Sequence, residues 1–236
     1  MLKRILPLAL ASLWVAAANA DEAELKKAME AKLGAKVESV TKSGYLGLYE
    51  IYADGNILYT DEKMTAFIAG GQLIEGKTMK NVTEERMRKL TAIKFSELPL
   101  ERAIKQVRGD GKRVMATFED PNCGYCKRLA KDLQKLDNVT IYTFLLPFQG
   151  QARPVAIWCA ADREQAWHRF MLQGDTSMLS VAAACDHPVD RNLALAHRLG
   201  VQGTPTLVWA DGSRTDGYVD RSVLEARLRQ VAEVRP

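Results

Sequence analysis

Phe118-Glu119-Asp120-Pro121-Asn122-Cys123-Gly124-Tyr125-Cys126-Lys127 is the stretch on which the fold turns. An apolar run, Arg113 to Phe118, leads into it and reads as a strand. Asp120-Pro121-Asn122 breaks that strand, and from Cys123 to Leu136 the residues Cys126, Leu129, Leu133 and Leu136 recur along one helical face. Val139 to Leu146 is then a nearly continuous apolar strand of the kind buried on both faces. A strand, a helix and a parallel strand within about 35 residues make a βαβ unit.

Two thiols separated by Gly124-Tyr125 at the start of a helix can close a small disulfide ring, and the helix N-terminus favours the anion of the first sulfur. Cys123 is therefore the expected nucleophile and Cys126 the resolving thiol. Gly124 and Tyr125 are the residues that would tune the pair. A structural zinc site would need two more ligands, and Cys159 and Cys185 form no second close pair. Covalent haem attachment would need a histidine where Lys127 stands. A purely structural Cys123–Cys126 bridge would close too short a loop to restrict the unfolded chain. No metal and no cofactor are expected, and the chemistry reads as dithiol exchange.

The other cysteines sit in apolar surroundings, Val155-Ala156-Ile157-Trp158-Cys159-Ala160 and Val181-Ala182-Ala183-Ala184-Cys185. Linked, they would close a loop of roughly 27 residues and stabilise the fold by about 3.5 kcal/mol. We read a structural disulfide here, set against two free buried thiols.

Upstream of the βαβ unit, Ala103 to Val107 reads as a strand joined to Arg113–Phe118 by the turn Arg108-Gly109-Asp110-Gly111. Residues 81–98 read as a linker helix: Thr83 caps it, Glu84 and Glu85 occupy its first turn, and it ends before Pro99. Residues 21–80 form a small α+β unit. A short helix from Glu22 to Leu33 is followed by brief strands at Val37–Val40, Leu46–Tyr52, Asn56–Thr60, Thr65–Ala69 and Gln72–Ile74, with Asp54-Gly55 as a hairpin turn. So small a unit buries little surface, and Thr65–Ala69 is a strand that would pair with a second copy.

Residues 1–20 have Lys3 and Arg4 ahead of an apolar run and end in Ala18-Asn19-Ala20, the pattern of a secretory signal peptide cleaved after Ala20. Loss of Lys3 and Arg4 takes the net charge from +4 to +2, too balanced to argue for nucleic acid. Four cysteines suit an oxidising compartment. Downstream, residues 152–199 are mainly helical. A turn at Gly203-Thr204-Pro205 then enters a strand at Thr206–Ala210, and a strand near Thr215–Val219 and a final helix at Arg221–Val231 follow. The three histidines, His168, His187 and His197, lie in or beside the helical part and read as surface or capping residues.

Taken together, the Cys-x-x-Cys at a helix start, the apolar strand after it and Thr204-Pro205 before a later strand resemble the thioredoxin superfamily. Three segments, Phe118 to Lys127, Ile157-Trp158-Cys159-Ala160 and Leu199 to Pro205, resemble more narrowly the DsbC/DsbG family of periplasmic disulfide isomerases. The resemblance covers the chain beyond the leader and implies an α+β N-terminal dimerisation domain, a linker helix and, over residues 99–236, an α/β thioredoxin-like domain with a helical insertion. It implies a cis-proline turn at Thr204-Pro205, with the Thr204 backbone offered to the substrate chain. It also implies a V-shaped periplasmic homodimer holding misfolded, wrongly bonded secreted proteins in a chaperone-like cleft, and a membrane thiol donor of the DsbD type. The DsbG branch, which protects single cysteines, and a chaperone with incidental thiols are the competing readings. One departure stands out: six positions before the first cysteine, where thioredoxin keeps a buried acid, this chain has Thr117. Glu119 is close by, but strand alternation alone does not place it beneath the sulfurs, and no proton acceptor for Cys126 is assigned.

Overall fold

The computed structural model describes residues 13–179 and 185–234, with side chains over 22–179 and 185–232. The chain divides into two compact units, Met1–Met87 and Arg88–Pro236. Among the described residues, no helix is long and apolar enough to cross a membrane.

In the first unit, helix α1 (Leu13–Leu33) lies against a four-stranded antiparallel sheet of β1 (Val37–Lys42), β2 (Tyr49–Ala53), β3 (Asn56–Thr60) and β4 (Phe67–Ala69), in that order. The helix read from Glu22 thus reaches back to Leu13, across the expected cleavage point; the first part of the leader, residues 1–12, lies outside the described residues. Leu25 and Met29 of α1 pack on Val37, Val40, Tyr49 and Ile51. Asp54 and Gly55 both take positive φ, 49° and 75°, between the paired residues Ala53 and Asn56. This is the hairpin geometry that an Asp-Gly pair adopts at little steric cost. The β4 edge is open, with all three of its residues exposed, Phe67 and Ile68 among them. Gln72–Ile74 forms no strand and contributes one isolated bridge, Ile74 to Asn81.

Helix α2 (Val82–Leu90) has Glu84 and Glu85 in its first turn and Arg88 and Lys89 in its last. It ends at Leu90, short of the expected boundary before Pro99. The backbone continues as a 3₁₀ turn at Phe95–Glu97, because the apolar positions after Leu90 are buried individually rather than along a helical face.

The second unit is built on a five-stranded mixed sheet, β5 (Ile104–Arg108), β6 (Arg113–Glu119), β7 (Val139–Leu145), β8 (Thr206–Trp209) and β9 (Arg214–Asp216), in the spatial order β5-β7-β6-β8-β9. The two strands expected on either side of the Arg108–Gly111 turn are present as β5 and β6, but they do not pair with each other. β7 lies between them, antiparallel to β5 and parallel to β6. A seven-residue apolar strand buried on both faces has more to gain from a central position than a hairpin has from proximity in sequence. The βαβ unit is present as β6, α3 (Gly124–Leu133) and β7. On one sheet face Met115, Ile141 and Leu207 pack with Leu129 and Leu133 of α3 and Leu224 and Leu228 of α7 (Arg221–Val234). On the other, Phe118 and Phe144 stack at 4.9 Å and pack with Leu195 and Ala196 of α6 (Val189–Arg198). The insertion also contributes α4 (Ala152–Trp158) and α5 (Arg163–Gln173).

Candidate thiol exchange site

The turn from β6 into α3 is fixed by one buried carboxylate. Asp120 Oδ1 accepts from the Asn122 backbone N–H at 2.7 Å, and Oδ2 accepts from the Gln149 N–H at 2.6 Å. Asp120 thereby ties the loop before α3 to the loop after β7, while its carbonyl accepts from the N–H of Cys123 at 3.0 Å. Cys123 is left at the N-cap of α3 with extended φ and ψ of −74° and 124° and no side-chain capping bond, which frees its sulfur to point away from the helix.

That sulfur is more enclosed than the sequence suggests, with Cys123 only 6% exposed. Its Sγ donates to the carbonyl of Thr204 at 3.3 Å across the Thr204-Pro205 peptide, which is cis. Cys126, one turn deeper, is fully buried. Gly124 and Tyr125 form the exposed first turn, and Tyr125 is 63% accessible. Cys123, Cys126, Thr204 and Pro205 therefore meet at one place, with Tyr125 on its rim.

Burial pushes the Cys126 thiol far above its ordinary range. Negative charge at Glu119 and at Cys123 adds to the shift, while hydrogen bonding from the Asp120 backbone and the Thr204 side chain opposes it. The sequence left Cys126 without a proton acceptor, and the structure supplies a carboxyl nearby. Residues 113, 115, 117 and 119 of β6 share a face, and Met115 shows that it is the α3 face. Thr117 occupies the position six before Cys123 and donates its hydroxyl to Glu119 Oε1 at 2.8 Å; the Thr143 Oγ1 lies 3.1 Å from the Thr117 Oγ1. Glu119 is fully buried, its other oxygen has no partner, and burial raises its carboxyl to about 8. The sequence signal was present as a spacing of two along the strand, but every residue from Met115 to Glu119 is buried, so no alternation marked the face.

The sulfurs sit in an apolar cluster with Ile104, Leu145, Ile157, Trp158, Trp167 and Phe170, so the insertion helices roof the site. Lys127 Nζ and Arg153 Cζ lie 5.0 and 4.6 Å from the centroid of the Phe170 ring, which holds two cations beside the first turn of α3. Cys159 packs on the same cluster and is disulfide-bonded to Cys185, with Cα atoms 5.9 Å apart. One expectation about this pair is corrected. Cys185 is exposed and Cys159 half-buried, because the bridge closes over the outside of the insertion rather than within its core; residues 181–184, on which the apolar reading rested, lie outside the described residues. Of the histidines, His197 is exposed, while His168 is half-buried beside Gln106 and Arg108.

Comparison with known proteins agrees with this geometry. Residues 100–232 match the thioredoxin-like domain family, and residues 16–84 match the disulfide bond isomerase protein N-terminal domain. The chain is 46% identical over 198 residues to the probable thiol:disulfide interchange protein DsbC of Bordetella pertussis, covering 83% of this chain and 69% of that protein. It is 28% identical over 210 residues to the thiol:disulfide interchange protein DsbC of Escherichia coli K12, covering 85% of this chain and 84% of that one. Among solved structures, a disulfide interchange protein from Neisseria gonorrhoeae superposes with a TM-score of 0.53 at 36% identity, over 56% of this chain and 97% of that one. A paired-cysteine helix start facing Thr204-Pro205, in a thioredoxin-like domain preceded by an isomerase-type N-terminal domain, places this chain in the DsbC family of thiol:disulfide interchange proteins.

Proposed function

We propose that the protein rearranges or reduces wrongly paired disulfides in secreted proteins of the periplasm, with Cys123 as the attacking sulfur and Cys126 as the resolving one. The contact between Cys123 Sγ and the Thr204 carbonyl carries this reading, because it sets the outer sulfur against a backbone edge that a substrate strand can occupy, with a second sulfur buried one turn below. The Cys123 thiolate attacks a substrate disulfide, giving a mixed disulfide and releasing one substrate thiolate. A substrate thiol resolves the intermediate to give isomerisation, or Cys126 resolves it to give reduction of the substrate and a Cys123–Cys126 disulfide. The second outcome leaves the protein oxidised, so a membrane thiol donor of the DsbD type must return two electrons. Thr204 and Pro205 present the substrate strand, Gly124 and Tyr125 tune the pair, and Cys159–Cys185 braces the insertion.

The domain plan that supports this is a leader over 1–20, a dimerisation domain over 21–80, a linker over 81–98 and the exchange domain over 99–236. Two chains join through the first domain, and the open, partly apolar β4 edge is the surface that favours pairing. The paired exchange domains hold non-native substrate by apolar contact. Recovery of ribonuclease activity from the scrambled, fully oxidised enzyme tests the reading. Cys123→Ala is expected to abolish the catalysed recovery, and Cys126→Ala to retain part of it while accumulating mixed disulfides. Recovery with Cys123→Ala at the wild-type rate would overturn it. A solution mass of one chain by light scattering would overturn the dimer.

A further inference from the structure

Beyond the cis-proline turn the chain comes back to the sulfur site a second time. The Gly217 N–H donates to the Pro205 carbonyl at 2.8 Å, and the Thr206 hydroxyl donates to Asp216 Oδ1 at 3.0 Å. The end of β9 is thereby tied to the edge that faces Cys123. Gly217 turns there with φ of 84°, a conformation that glycine adopts at little cost, and the next residue, Tyr218, reaches α3. The Tyr218 hydroxyl donates to Asp132 Oδ2 at 2.7 Å. Between α3 and the segment that leads into α7 lies an open recess of about 560 Å³, with Tyr218 in its lining. The recess therefore begins one residue from the bond that holds Pro205.

Its lining is basic. Arg128, Lys131 and Lys135 recur three and four apart, on the side of α3 away from the buried Cys126, Leu129 and Leu133, and Arg221 joins them from the start of α7. All four are exposed. Two acids share the recess, and both are engaged. Asp132 holds Tyr218 and pairs with Lys135 Nζ at 3.1 Å. Asp220 Oδ1 accepts from the backbone N–H groups of Ser222 and Val223, at 2.9 and 3.2 Å, as the cap of α7. Arg128 lies over the Tyr218 ring, 4.4 Å from its centroid. Glu225, one turn on from Arg221, is paired instead with Arg113 at 2.6 Å. Among the described residues, Lys131 and Arg221 have no carboxylate within ion-pair distance.

We propose that this recess binds the acidic flank of a substrate chain whose half-cystine is joined to Cys123, so that disulfides with carboxylates a few residues away react faster than others. The proposal rests on the exchange reading above and adds a recognition surface to it. From Cys123 to Lys131 the rise along α3 is about 12 Å, at about 1.5 Å per residue. An extended chain laid against the Thr204 edge covers that distance in about four residues, at about 3.3 Å each. Carboxylates at that spacing reach Lys131 and Arg221, the two cations that lack an acid of their own. A single exposed ion pair contributes little in water, so the gain lies in the encounter. A concave basic surface beside the nucleophile concentrates an acidic chain there and speeds its association, and salt screens the effect.

Peptides with a single cysteine, capped as a mixed disulfide with a coloured aromatic thiol, test this on the reduced full-length chain. The Cys123 thiolate attacks the peptide sulfur. The Cys123–peptide bond forms as the peptide–aromatic bond breaks, and the aromatic thiolate leaves with the electron pair and the colour. Paired glutamates on each side, about four residues from the cysteine, are expected to raise the second-order rate about tenfold over paired glutamines in dilute buffer. That advantage is expected to shrink to about twofold or less in about 0.5 M salt. Equal rates for the two peptides in dilute buffer overturn the proposal. Glutamates moved to about twelve residues from the cysteine are expected to lose most of the advantage. A peptide that keeps it is responding to the charge of the whole domain, and that result overturns the recess as the site. In the double variant Lys131→Gln and Arg221→Gln the ratio of the two peptide rates is expected to fall to about twofold or less. A ratio as large as in the wild type overturns the assignment of these two residues, and because it is taken within one protein, a general loss of activity cancels. If no peptide releases colour, the exchange reading itself fails.

Discussion

Glu50 and Glu119 are both acids buried on interior strands, one in each compact unit, yet their surroundings are opposite. Glu50, on β2 and 3% exposed, is gripped by Arg86: Nε lies 3.1 and 3.0 Å from its two oxygens and Nη2 lies 2.8 Å from Oε1. Glu119, on β6 and fully buried, has one hydroxyl bond and one bare oxygen. A forked guanidinium holds a carboxyl group in a single place, which suits an acid whose task is to fasten α2 to the sheet. A carboxyl with one neutral hydroxyl partner and no cation opposite it is left free to change its protonation. The same residue type is thus fixed or left free by whether a cation is placed opposite it.

The largest effect expected from breaking this contrast is in the first unit. Arg86→Met leaves Glu50 buried and unpaired, and a loss of about 3 to 5 kcal/mol is expected from denaturant unfolding of that unit. A loss below about 1 kcal/mol would mean that Glu50 is reached by water and is not a buried partner at all.

Next comes Glu119→Gln, whose effect on stability depends on pH. Glu119 titrates at about 8 in the folded chain against an ordinary value of 4.5. Between those values the folded chain holds a proton that the unfolded chain has lost, so its contribution to stability is fully present below the lower value and is lost as pH rises through the upper. Relative to wild type, Glu119→Gln is therefore expected to gain about 2 to 3 kcal/mol between pH 5.5 and 7.5, checked by unfolding at a series of pH values. A difference independent of pH would show that the carboxyl does not stay neutral when buried.

The smallest effect sharpens the comparison without breaking it. Glu50→Gln keeps an acceptor for Arg86 and removes only the charge, and about 1 kcal/mol is expected to be lost at pH 7. A gain would place Glu50 in the same class as Glu119.

Much of this was legible before any coordinates. Cys123 and Cys126 carry their chemistry in residue type and spacing, Thr204 and Pro205 gained theirs only from the family resemblance, and Asp54-Gly55 carries its turn in the positive φ that both residues tolerate. What was hidden depended on long-range packing. The order of β5, β7 and β6 follows from which strand gains most by being central, and the short turn at Gly109 to Gly111 says only that β5 and β6 are consecutive, not which strand lies beside which. Glu119 was hidden because a strand end buried on both sides shows no alternation to read. The depth of Cys185 was misjudged because apolar neighbours in sequence describe a segment, whereas exposure is decided by what lies across from it.

The Cys159–Cys185 bond has a consequence for how the chain is made. Four cysteines can pair in three ways; here the third and fourth are bonded, while the first and second are thiols one helical turn apart. A chain made N-terminus first presents its sulfurs in that same order. Each cysteine thus meets its neighbour in sequence before the next pair of thiols arrives, so links made in that order need not cross one another.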